Sequence, residues 1–455
     1  MRTPTRSHRA GEPGDAVPDY RSLSLWHDTA ADDWVPRDPL RGDLRADVAV
    51  VGAGLTGLWT AYYLLRADPS LRVVVLEAET AGFGASGRSG GLLRAGGSPA
   101  DGDLHERLRD SVDEVGRIAA LEGIDARFQR TGLLTLARSR AQLRSAHDAA
   151  AADARTRLLS ADQARSVLAA TRVHAATYRP DCAVVDPARL VRGLAEVVAS
   201  SAGGRIYEHT PVTSLKPHRV QTPRGTVTAD LVVRALEGYT PDLPGHRRQL
   251  ARVQSLFLAT EPLPEPVWEE IGLREREAFT DYAHVSAQGV RTADDRLVYG
   301  GRCIPHRPGA GSGPSVEADR QAFAGVWASL RATLPRLRGV TVTHAWGGLI
   351  GVAPGGGPSV GLDPAVGLAW AGGYADNGLA ATNLAGRTLR DLLLGRSTAL
   401  TCLPWVTHDR SAWPPGPLRS AGVHTALWLM AVADREERLT GRPSRLPAGL
   451  GDRSR

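Results

Sequence analysis

A buried strand that runs straight into a glycine-rich turn and then a helix constrains this chain more than any other stretch of its sequence. Residues 47–51 (Asp-Val-Ala-Val-Val) form an apolar run typical of a strand buried on both faces of a parallel sheet. Residues 52–57 have the spacing Gly-x-Gly-x-x-Gly, and residues 58–65 predict a helix that packs on that sheet. A second apolar strand covers 72–77. The pattern predicts a βαβ unit of a Rossmann-like domain.

The three glycines of this turn have the spacing that a dinucleotide requires. Gly52 permits the tight turn, Gly54 lets a pyrophosphate approach the backbone, and Gly57 lets the helix pack on the strand. The helix N-terminus offers N–H groups and a positive dipole end to phosphates. Glu77 ends the second strand twenty positions after Gly57, where a carboxylate accepts hydrogen bonds from an adenosine ribose and disfavours a 2′-phosphate. The sequence therefore predicts an adenine dinucleotide site.

A second loop of small residues favours FAD over NAD. Residues 82–91 read Gly-Phe-Gly-Ala-Ser-Gly-Arg-Ser-Gly-Gly and follow Glu77 closely. Because FAD extends beyond its pyrophosphate, it needs a loop that passes its ribityl chain and flavin ring. Ser86 and Ser89 supply hydroxyl groups, Arg88 supplies charge, and the glycines leave backbone N–H groups exposed. A flexible surface loop is the alternative interpretation.

Length and composition limit the other function classes. A chain of 455 residues exceeds one ordinary core and predicts two domains. It contains no apolar run of the roughly 18–20 residues that a membrane span needs, and no apolar signal segment near its start. The net charge of +6 comes from arginines interspersed with acids, so we expect no nucleic-acid partner. Three distant cysteines and 13 scattered histidines predict a cytoplasmic location and no metal site.

Periodicity assigns the remaining elements. The first 20 residues are expected to be disordered. We expect helices at 104–122, 139–170, 187–202, 316–334 and 379–394. We expect strands at 131–136 and 227–233, and a surface loop at 308–314.

The last helix carries an apolar stripe. It follows the proline-rich break at 414–417. The stripe consists of Leu418, Ala421, Thr425, Leu429 and Val432. We expect this stripe to pack on the body of the protein, and the alternatives are a membrane-surface helix and a partner-binding helix.

Three blocks together carry a resemblance to a known family. They are residues 46–61, residues 82–91, and residues 372–387, which include Gly-Gly-Tyr-Ala-Asp-Asn-Gly-Leu-Ala. Pro187 and Val212 are weaker matches. In these blocks the chain resembles the FAD-dependent oxidoreductases of the glycine oxidase / D-amino-acid oxidase family, and most of all their gamma-glutamylputrescine oxidase-like branch.

The resemblance implies an α/β fold (α+β overall), with a Rossmann-like FAD-binding domain and a discontinuous antiparallel-sheet substrate domain. An N-terminal arm (1–45) and a C-terminal helix and tail (413–455) flank them. The implied segments are 46–100, 171–245 and 339–412 for the FAD-binding domain, and 101–170 and 246–338 for the substrate domain.

Carried over by position, the resemblance also implies the cofactor contacts. The N–H groups at the start of the helix near residue 378 would face the pyrimidine edge of the flavin. The FAD is expected to be non-covalent, because residues 347–358 lack the cysteine of the covalent branches. The implied cofactor-binding residues are Gly52, Ala53, Gly54, Leu55, Thr56, Gly57, Glu77, Ala78, Ser86, Gly87, Arg88, Ser89, Gly90, Gly91, Val212, Gly373, Asn377, Gly378 and Leu379.

Five residues in three motifs depart from the family pattern. Ser89 replaces the asparagine of Gly-Arg-Asn-Gly-Gly. Leu236 and Glu237 replace the threonine and asparagine that precede the Gly-Tyr pair, and Asp376 and Asn377 replace the start of Gly-His-Gly. These changes leave open a flavin-binding protein without catalysis, which would serve as a partner or regulatory module.

The implied reaction is the oxidation of a C–N bond of a primary or secondary amine or an amino acid, with O2 as acceptor and H2O2 as by-product. A dehydrogenase of the same fold that passes electrons to a quinone or carrier protein is the alternative. Arg302 is a candidate clamp for a carboxylate, Trp346 a candidate wall for the flavin face, and Tyr282, His284 and Tyr299 candidates to line the cavity. Structural pairing or packing is the alternative for each of them. The branch suggests a linear amine or its acylated derivative, and the oligomeric state is not predicted.

Overall fold

The computed structural model describes residues 19–96, 101–305, 320–375, 377–407 and 412–446. The helices are α1 (Leu25–Thr29), α2 (Leu55–Ala67), α3 (Ala85–Arg88), α4 (Asp103–Leu121), α5 (Arg140–Ala152), α6 (Ala161–Val167), α7 (Pro187–Ser200), α8 (Glu265–Ile271), α9 (Arg320–Thr333), α10 (Gly378–Leu393) and α11 (Gly416–Thr440). The strands are β1 (Leu44–Val51), β2 (Val73–Leu76), β3 (Leu92–Arg94), β4 (Gln129–Ala137), β5 (Arg157–Ser160), β6 (Ala175–Val184), β7 (Gly204–Tyr207), β8 (Ser214–Lys216), β9 (Arg219–Thr222), β10 (Gly225–Arg234), β11 (Ala251–Thr260), β12 (Ala278–Asp281), β13 (Gln288–Arg291), β14 (Leu297–Pro305), β15 (Val342–Val352), β16 (Ser359–Asp363) and β17 (Leu368–Gly372). Short 3₁₀ helices cover Tyr20–Leu23, Glu237–Asp242, Pro335–Gly339 and Ala399–Cys402.

The first sheet contains the parallel strands that the βαβ pattern predicts, with β16 antiparallel to β17 at one edge. Its strands follow the order β16-β17-β10-β1-β2-β7, with β8 and β9 added as a hairpin beside β10. Strand β1 lies parallel to both β10 and β2, so Val50 is opposite Val233 on one side and Val75 on the other. Helices α2, α7 and α10 contribute buried aliphatic residues to the core beside this sheet. A strand buried on both faces is the reason why β1 reads as a continuous apolar run.

The second sheet is mainly antiparallel. Nine strands form it, in the order β15-β11-β14-β13-β12-β4-β6-β3 with β5 beside β6, and β12 and β4 form its parallel pair. Helices α8 and α9 pack on it through a separate apolar core. The two sheets confirm the expected fold class.

The strands of the two sheets do not follow the implied domain boundaries, and those boundaries remain a prediction. Strands β6 and β15 belong to the second sheet although they lie in segments implied for the FAD-binding domain. Helix α4 lies in a segment implied for the substrate domain, yet its apolar face belongs to the core of the first sheet. The predicted helix at 139–170 is interrupted, because residues 157–160 pair with β6 as strand β5.

The N-terminal arm is ordered from its first described residues. Residues 1–18, most of the segment expected to be disordered, and the loop predicted at 308–314 lie outside the described residues. Tyr20 is buried, and its hydroxyl group lies 3.1 Å from a carboxylate oxygen of Glu79. The expectation of disorder is therefore wrong at Tyr20, because these contacts attach the arm to the body.

The C-terminal helix packs through a different face from the predicted stripe. Val423, Ala433 and Glu437 are the buried residues of α11, whereas Leu418 is 66% exposed. The stripe prediction is wrong because the helix packs on the second sheet through Val423 and through polar contacts such as that of Asp434 with the N–H of His284. No helix in the described part of the chain is both long and apolar enough to cross a membrane.

Candidate active site

A long pocket lies between the two sheets; it begins at the glycine turn after β1 and ends against β12, β13 and β14. It contains about 1980 Å³ of empty space, the solvent at its mouth included. Residues from both sheets line it, among them Gly54 from the turn and Gln288 from β13. The pocket is thus the place where a bound nucleotide and a second small molecule would meet.

The glycine turn forms the first end of the pocket. Gly52 has a φ of +105°, and a Cβ there would lie 2.7 Å from the carbonyl oxygen of Ala235. Gly54 precedes α2 and has no side chain that could cap the helix. The N–H of Leu55 donates to Oγ of Ser86 at 2.9 Å, which brings the second loop onto the helix N-terminus. The local structure matches an anion-binding helix start.

Glu77 lies beside this turn, at the end of β2. One carboxylate oxygen accepts the N–H of Ala53 at 2.8 Å, and the other accepts the N–H of Glu79 at 3.1 Å. Burial raises the pKa of Glu77 to about 7, against the effect of these two hydrogen bonds. The carboxylate is therefore fixed at the pocket wall, where its remaining lone pairs can accept hydrogen bonds from ribose hydroxyl groups.

The second loop forms the middle of the pocket. The guanidinium of Arg88 donates to the hydroxyl group of Tyr239 at 3.0 Å and lies 4.8 Å from the ring centre of Phe83. The hydroxyl oxygen of Ser89 is buried and has no hydrogen-bond partner among the described residues. A Cβ on Gly90 would lie 2.5 Å from Nε2 of Gln288 and from the ring of Phe257. This loop is therefore in direct contact with the second sheet.

The start of α10 forms another part of the wall. Gly378, Leu379 and Thr382 line the pocket, and Asn377 precedes the helix without a side-chain cap. Gly373 does not line the pocket, and its N–H donates to Glu237 at 2.7 Å. Two helix N-termini, of α2 and α10, therefore open on one pocket.

Comparison with known proteins decides the family. The family model described as FAD dependent oxidoreductase (DAO) matches residues 47–392. The chain belongs to this family. The gamma-glutamylputrescine oxidoreductase of Escherichia coli is 30% identical over 396 residues, which are 82% of this chain and 89% of that protein. The glycine oxidase of Pseudomonas putida is 29% identical over 384 residues, 80% of this chain and 98% of that protein.

A solved structure shows the same fold. The glycine oxidase of Bacillus cereus superposes with a TM-score of 0.68 at 20% sequence identity, over 82% of this chain and 99% of that one. The chain is thus an FAD-dependent oxidoreductase of the DAO family with the fold of glycine oxidase.

The pocket of this DAO-family chain fits FAD. The unpartnered hydroxyl oxygen of Ser89 and the uncapped N-termini of α2 and α10 are polar groups that a long, anionic cofactor would satisfy. Pocket-lining residues among the implied cofactor contacts are Gly52, Gly54, Leu55, Thr56, Glu77, Ala78, Ser86, Arg88, Ser89, Gly90, Val212, Gly378 and Leu379.

The other six implied contact residues do not line the pocket. They are Ala53, Gly57, Gly87, Gly91, Gly373 and Asn377. A Cβ on Gly57 would lie 2.0 Å from the carbonyl oxygen of Gly52, and one on Gly87 would lie 2.3 Å from that of Gly82. These glycines permit close backbone approach and do not offer a surface to the cofactor.

The five substrate-side candidates lie outside the pocket-lining residues. Tyr282 bonds to Thr177 at 2.7 Å between hydroxyl groups, and Tyr299 bonds to Ser329 at 3.1 Å within the second core. Arg302 is half-buried on β14, after the glycine pair whose residues do line the pocket. Tyr282 follows the end of β12 and Tyr299 is buried in the second core, so neither side chain forms part of the pocket wall.

His284 and Trp346 have structural contacts as well. Nε2 of His284 lies 3.1 Å from a carboxylate oxygen of Glu437, and Asp434 accepts the N–H of His284 at 2.8 Å. These three residues are close enough to hold a metal ion, but both carboxylates also accept backbone N–H groups and join α11 to the second sheet. Trp346 is 3% exposed and stacks on Phe257, which separates it from the pocket.

The second sheet contributes lining residues that the sequence did not single out. Phe257 of β11, Thr280 of β12, Gln288 of β13 and Ser286 just before β13 form this wall together with the glycines at 300 and 301. Nothing in their local sequence marks them, because the pairing of β11 with β14 and of β12 with β13 brings them together. The glycine pair was the one available signal, and its second member has a φ of +100°.

Proposed function

We propose that this chain oxidises the C–N bond of a primary or secondary amine or an amino acid to an imine, which water hydrolyses to a carbonyl product. The observation that carries the proposal is the shared pocket: the glycine turn, the loop at 82–91 and the wall of the second sheet line one cavity in a DAO-family chain. Bound FAD supplies the two-electron acceptor for a hydride from the carbon beside the amine, and O2 takes the electrons on to form H2O2.

The chain's own residues bind and orient the reactants. The start of α2 would hold the phosphates, Glu77 the ribose, and the start of α10 the flavin end, where a positive dipole stabilises developing negative charge. Cys182 is buried in the second sheet, and neither it nor Cys303 nor Cys402 lines the pocket, which supports non-covalent FAD. None of these three cysteines, all of which lie within the described residues, forms a disulfide bond, which supports a reducing, cytoplasmic location.

The wall of the second sheet suits an uncharged amine. Thr280, Ser286 and Gln288 offer neutral polar groups, and Phe257 offers an apolar face. Hydride transfer requires the amine to be deprotonated, and a neutral wall favours that form because it solvates a cation poorly. The similarity to gamma-glutamylputrescine oxidoreductase supports a linear amine or its acylated derivative as the substrate class.

An anaerobic titration followed by the visible spectrum tests the proposal. One pool of candidate substrates holds polyamines and acylated diamines, and the other holds amino acids of both hands. We expect a bound-flavin spectrum that one pool bleaches. A flavin spectrum that neither pool changes would favour a flavin-binding partner protein without catalysis.

Admitting air after the bleaching identifies the electron acceptor. An oxidase regains its flavin colour at once and forms one H2O2 for each amine oxidised. A dehydrogenase regains it slowly in air and rapidly with a quinone or an artificial electron carrier. The second result would replace O2 with a carrier in the proposal and leave the amine chemistry intact.

A further inference from the structure

Two tryptophans from opposite ends of the chain bond to neighbouring peptide groups of the second loop. Nε1 of Trp26 donates to the carbonyl oxygen of Ser89 at 2.7 Å, and Nε1 of Trp346 donates to that of Arg88 at 2.9 Å. Trp26 is 4% exposed and Trp346 is 3% exposed, so water does not compete for either bond. The two indole rings meet edge to face, 6.5 Å apart.

The loop held in this way lines the pocket. Arg88, Ser89 and Gly90 are lining residues, and the loop approaches the second sheet so closely that a Cβ on Gly90 has no room. A Cβ on Gly91 would lie 2.7 Å from the carbonyl oxygen of Val185 and 3.1 Å from the ring of Trp26. The loop is therefore confined on several sides, and two indole N–H groups bond to its backbone.

The tryptophans belong to elements with different anchors. Trp26 lies on α1 of the N-terminal arm, and this arm is attached to α7 through Arg192, whose guanidinium lies 2.7 Å from Asp32. Trp346 lies on β15 and stacks on Phe257, which lines the pocket. The arm and the second sheet thus both hold the same loop, and they also contact each other through the two indole rings.

We propose that Trp26 and Trp346 are positioning residues that keep the loop at 88–90 in its place between the bound cofactor and the pocket wall formed by the second sheet. The N-terminal arm is then part of the active site and not only a covering segment. The effect on turnover rests on the proposed function, whereas the effect on FAD binding does not.

The variants Trp26→Phe and Trp346→Phe remove one N–H donor each and keep an aromatic ring in the core. Because each leaves a buried carbonyl group without its partner, we expect FAD to dissociate from the holoenzyme about tenfold more readily in either variant. The visible absorption bands of the bound flavin should shift or broaden as its surroundings loosen. The double variant should lose less than the product of the two effects, since both bonds hold one segment.

Two matched controls separate positioning from folding. Trp34→Phe changes another buried indole of the arm, whose Nε1 donates to the carbonyl oxygen of His27 inside the arm. Trp428→Phe changes an indole of α11 that is 61% exposed. We expect both controls to retain FAD and its spectrum like the parent protein. Loss of FAD in Trp34→Phe equal to that in Trp26→Phe would overturn the proposal, because arm stability alone would then explain it.

Unchanged FAD release and spectra in Trp26→Phe and Trp346→Phe would overturn it as well. If an amine reduces the flavin, the reduction rate at saturating amine should fall in both variants while the amine's KM changes little. If no amine reduces the flavin of any variant, the proposed function fails, and the FAD measurements still decide the role of the two tryptophans.

Discussion

At the residue scale, Gly90 marks the point of closest approach between the second loop and the second sheet. The loop passes so near to Gln288 and Phe257 that only a residue without a side chain fits. Gln288 has a flexible end that can move, but Phe257 is 4% exposed and stacks on Trp346. A methyl group at Gly90 would therefore push against the buried ring of Phe257, which lines the pocket.

We expect Gly90→Ala to lower the free energy of unfolding by about 1–3 kcal/mol, the usual cost of overpacking a core. FAD affinity should fall as well, because the displaced loop lines the pocket. Urea unfolding and FAD titration measure the two effects. Gly325→Ala on α9 is the matched control, since a Cβ there meets nothing within 4 Å. Equal stability of Gly90→Ala and the control would contradict the expectation.

Glu237 is a second residue whose surroundings define its role. It replaces the asparagine of the family pattern, has a φ of +43°, and accepts the N–H groups of Gly351 at 3.2 Å and Gly373 at 2.7 Å. These bonds join β15 of one sheet to the turn after β17 of the other. The departure at this position thus has a structural account that requires no loss of catalysis.

Glu237 also makes stability depend on pH. Burial raises its pKa from 4.5 to about 7, so the folded chain keeps a proton that the unfolded chain loses near pH 4.5. The stability of the FAD-free protein should therefore fall as pH rises from about 5 to 8. Urea unfolding across this range measures it. Burial raises the pKa of Glu77 to about 7 as well, so the Glu237→Gln variant should reduce the fall of stability with pH only in part. A slope that is the same in Glu237→Gln and in the parent protein would contradict the shift assigned to Glu237.

At the element scale, α11 fixes the segment before β13. Asp434 accepts the N–H groups of His284 at 2.8 Å and Val285 at 3.0 Å, and Glu437 lies beside His284. Ser286, the next residue along the chain, lines the pocket. The C-terminal helix therefore stabilises one part of the substrate wall from outside.

We expect Asp434→Ala to increase amide hydrogen exchange at His284 and Val285 at least tenfold, because each N–H loses a charged acceptor. The amine's KM should rise, since the neighbouring wall loosens. Arg435→Ala changes an exposed side chain on the same helix and serves as control. Exchange rates that stay at the parent value in Asp434→Ala would show that α11 does not hold this segment.

At the scale of the whole molecule, the pocket lies between two sheets with separate cores. The first core includes α2, α7 and α10, and the second includes α8 and α9. A cofactor in this pocket contacts both halves, so its binding energy adds to their association.

Free FAD at about a hundred times its Kd should stabilise the protein by about 2.7 kcal/mol. The midpoint of urea unfolding, measured with and without FAD, tests this. ADP is an informative comparison, because it reaches only the residues at the glycine turn and should stabilise less at the same concentration. If ADP stabilised as much as FAD at equal concentration, the loop at 82–91 and the second sheet would contribute nothing to cofactor binding.

The sequence predicted the first sheet well because its signals are local. A buried strand, a glycine turn, a helix and a terminal acid all lie within residues 47–77, and each follows from the backbone geometry that a dinucleotide site requires. The helix starts at 187 and 378 were predicted within one residue for the same reason, since proline and glycine act on their own neighbours.

The substrate wall was not predictable, because long-range pairing creates it. Phe257, Thr280 and Gln288 are brought together by four neighbouring strands, and a shift of one residue in any pairing would turn a different set toward the pocket. That is why Tyr299 and Trp346 are aromatic residues as predicted but are buried in apolar cores outside the pocket wall.

The sequence by itself determined the fold class and the family and predicted the nucleotide site, because these depend on residue types at fixed short spacings. Only the tertiary structure decided which side chains reach the cavity and which support it from behind. Trp26 and Trp346 lie 320 positions apart along the chain, yet bond to adjacent peptide groups. Contacts of that kind depend on the packing of whole sheets, and no local pattern of residues records them.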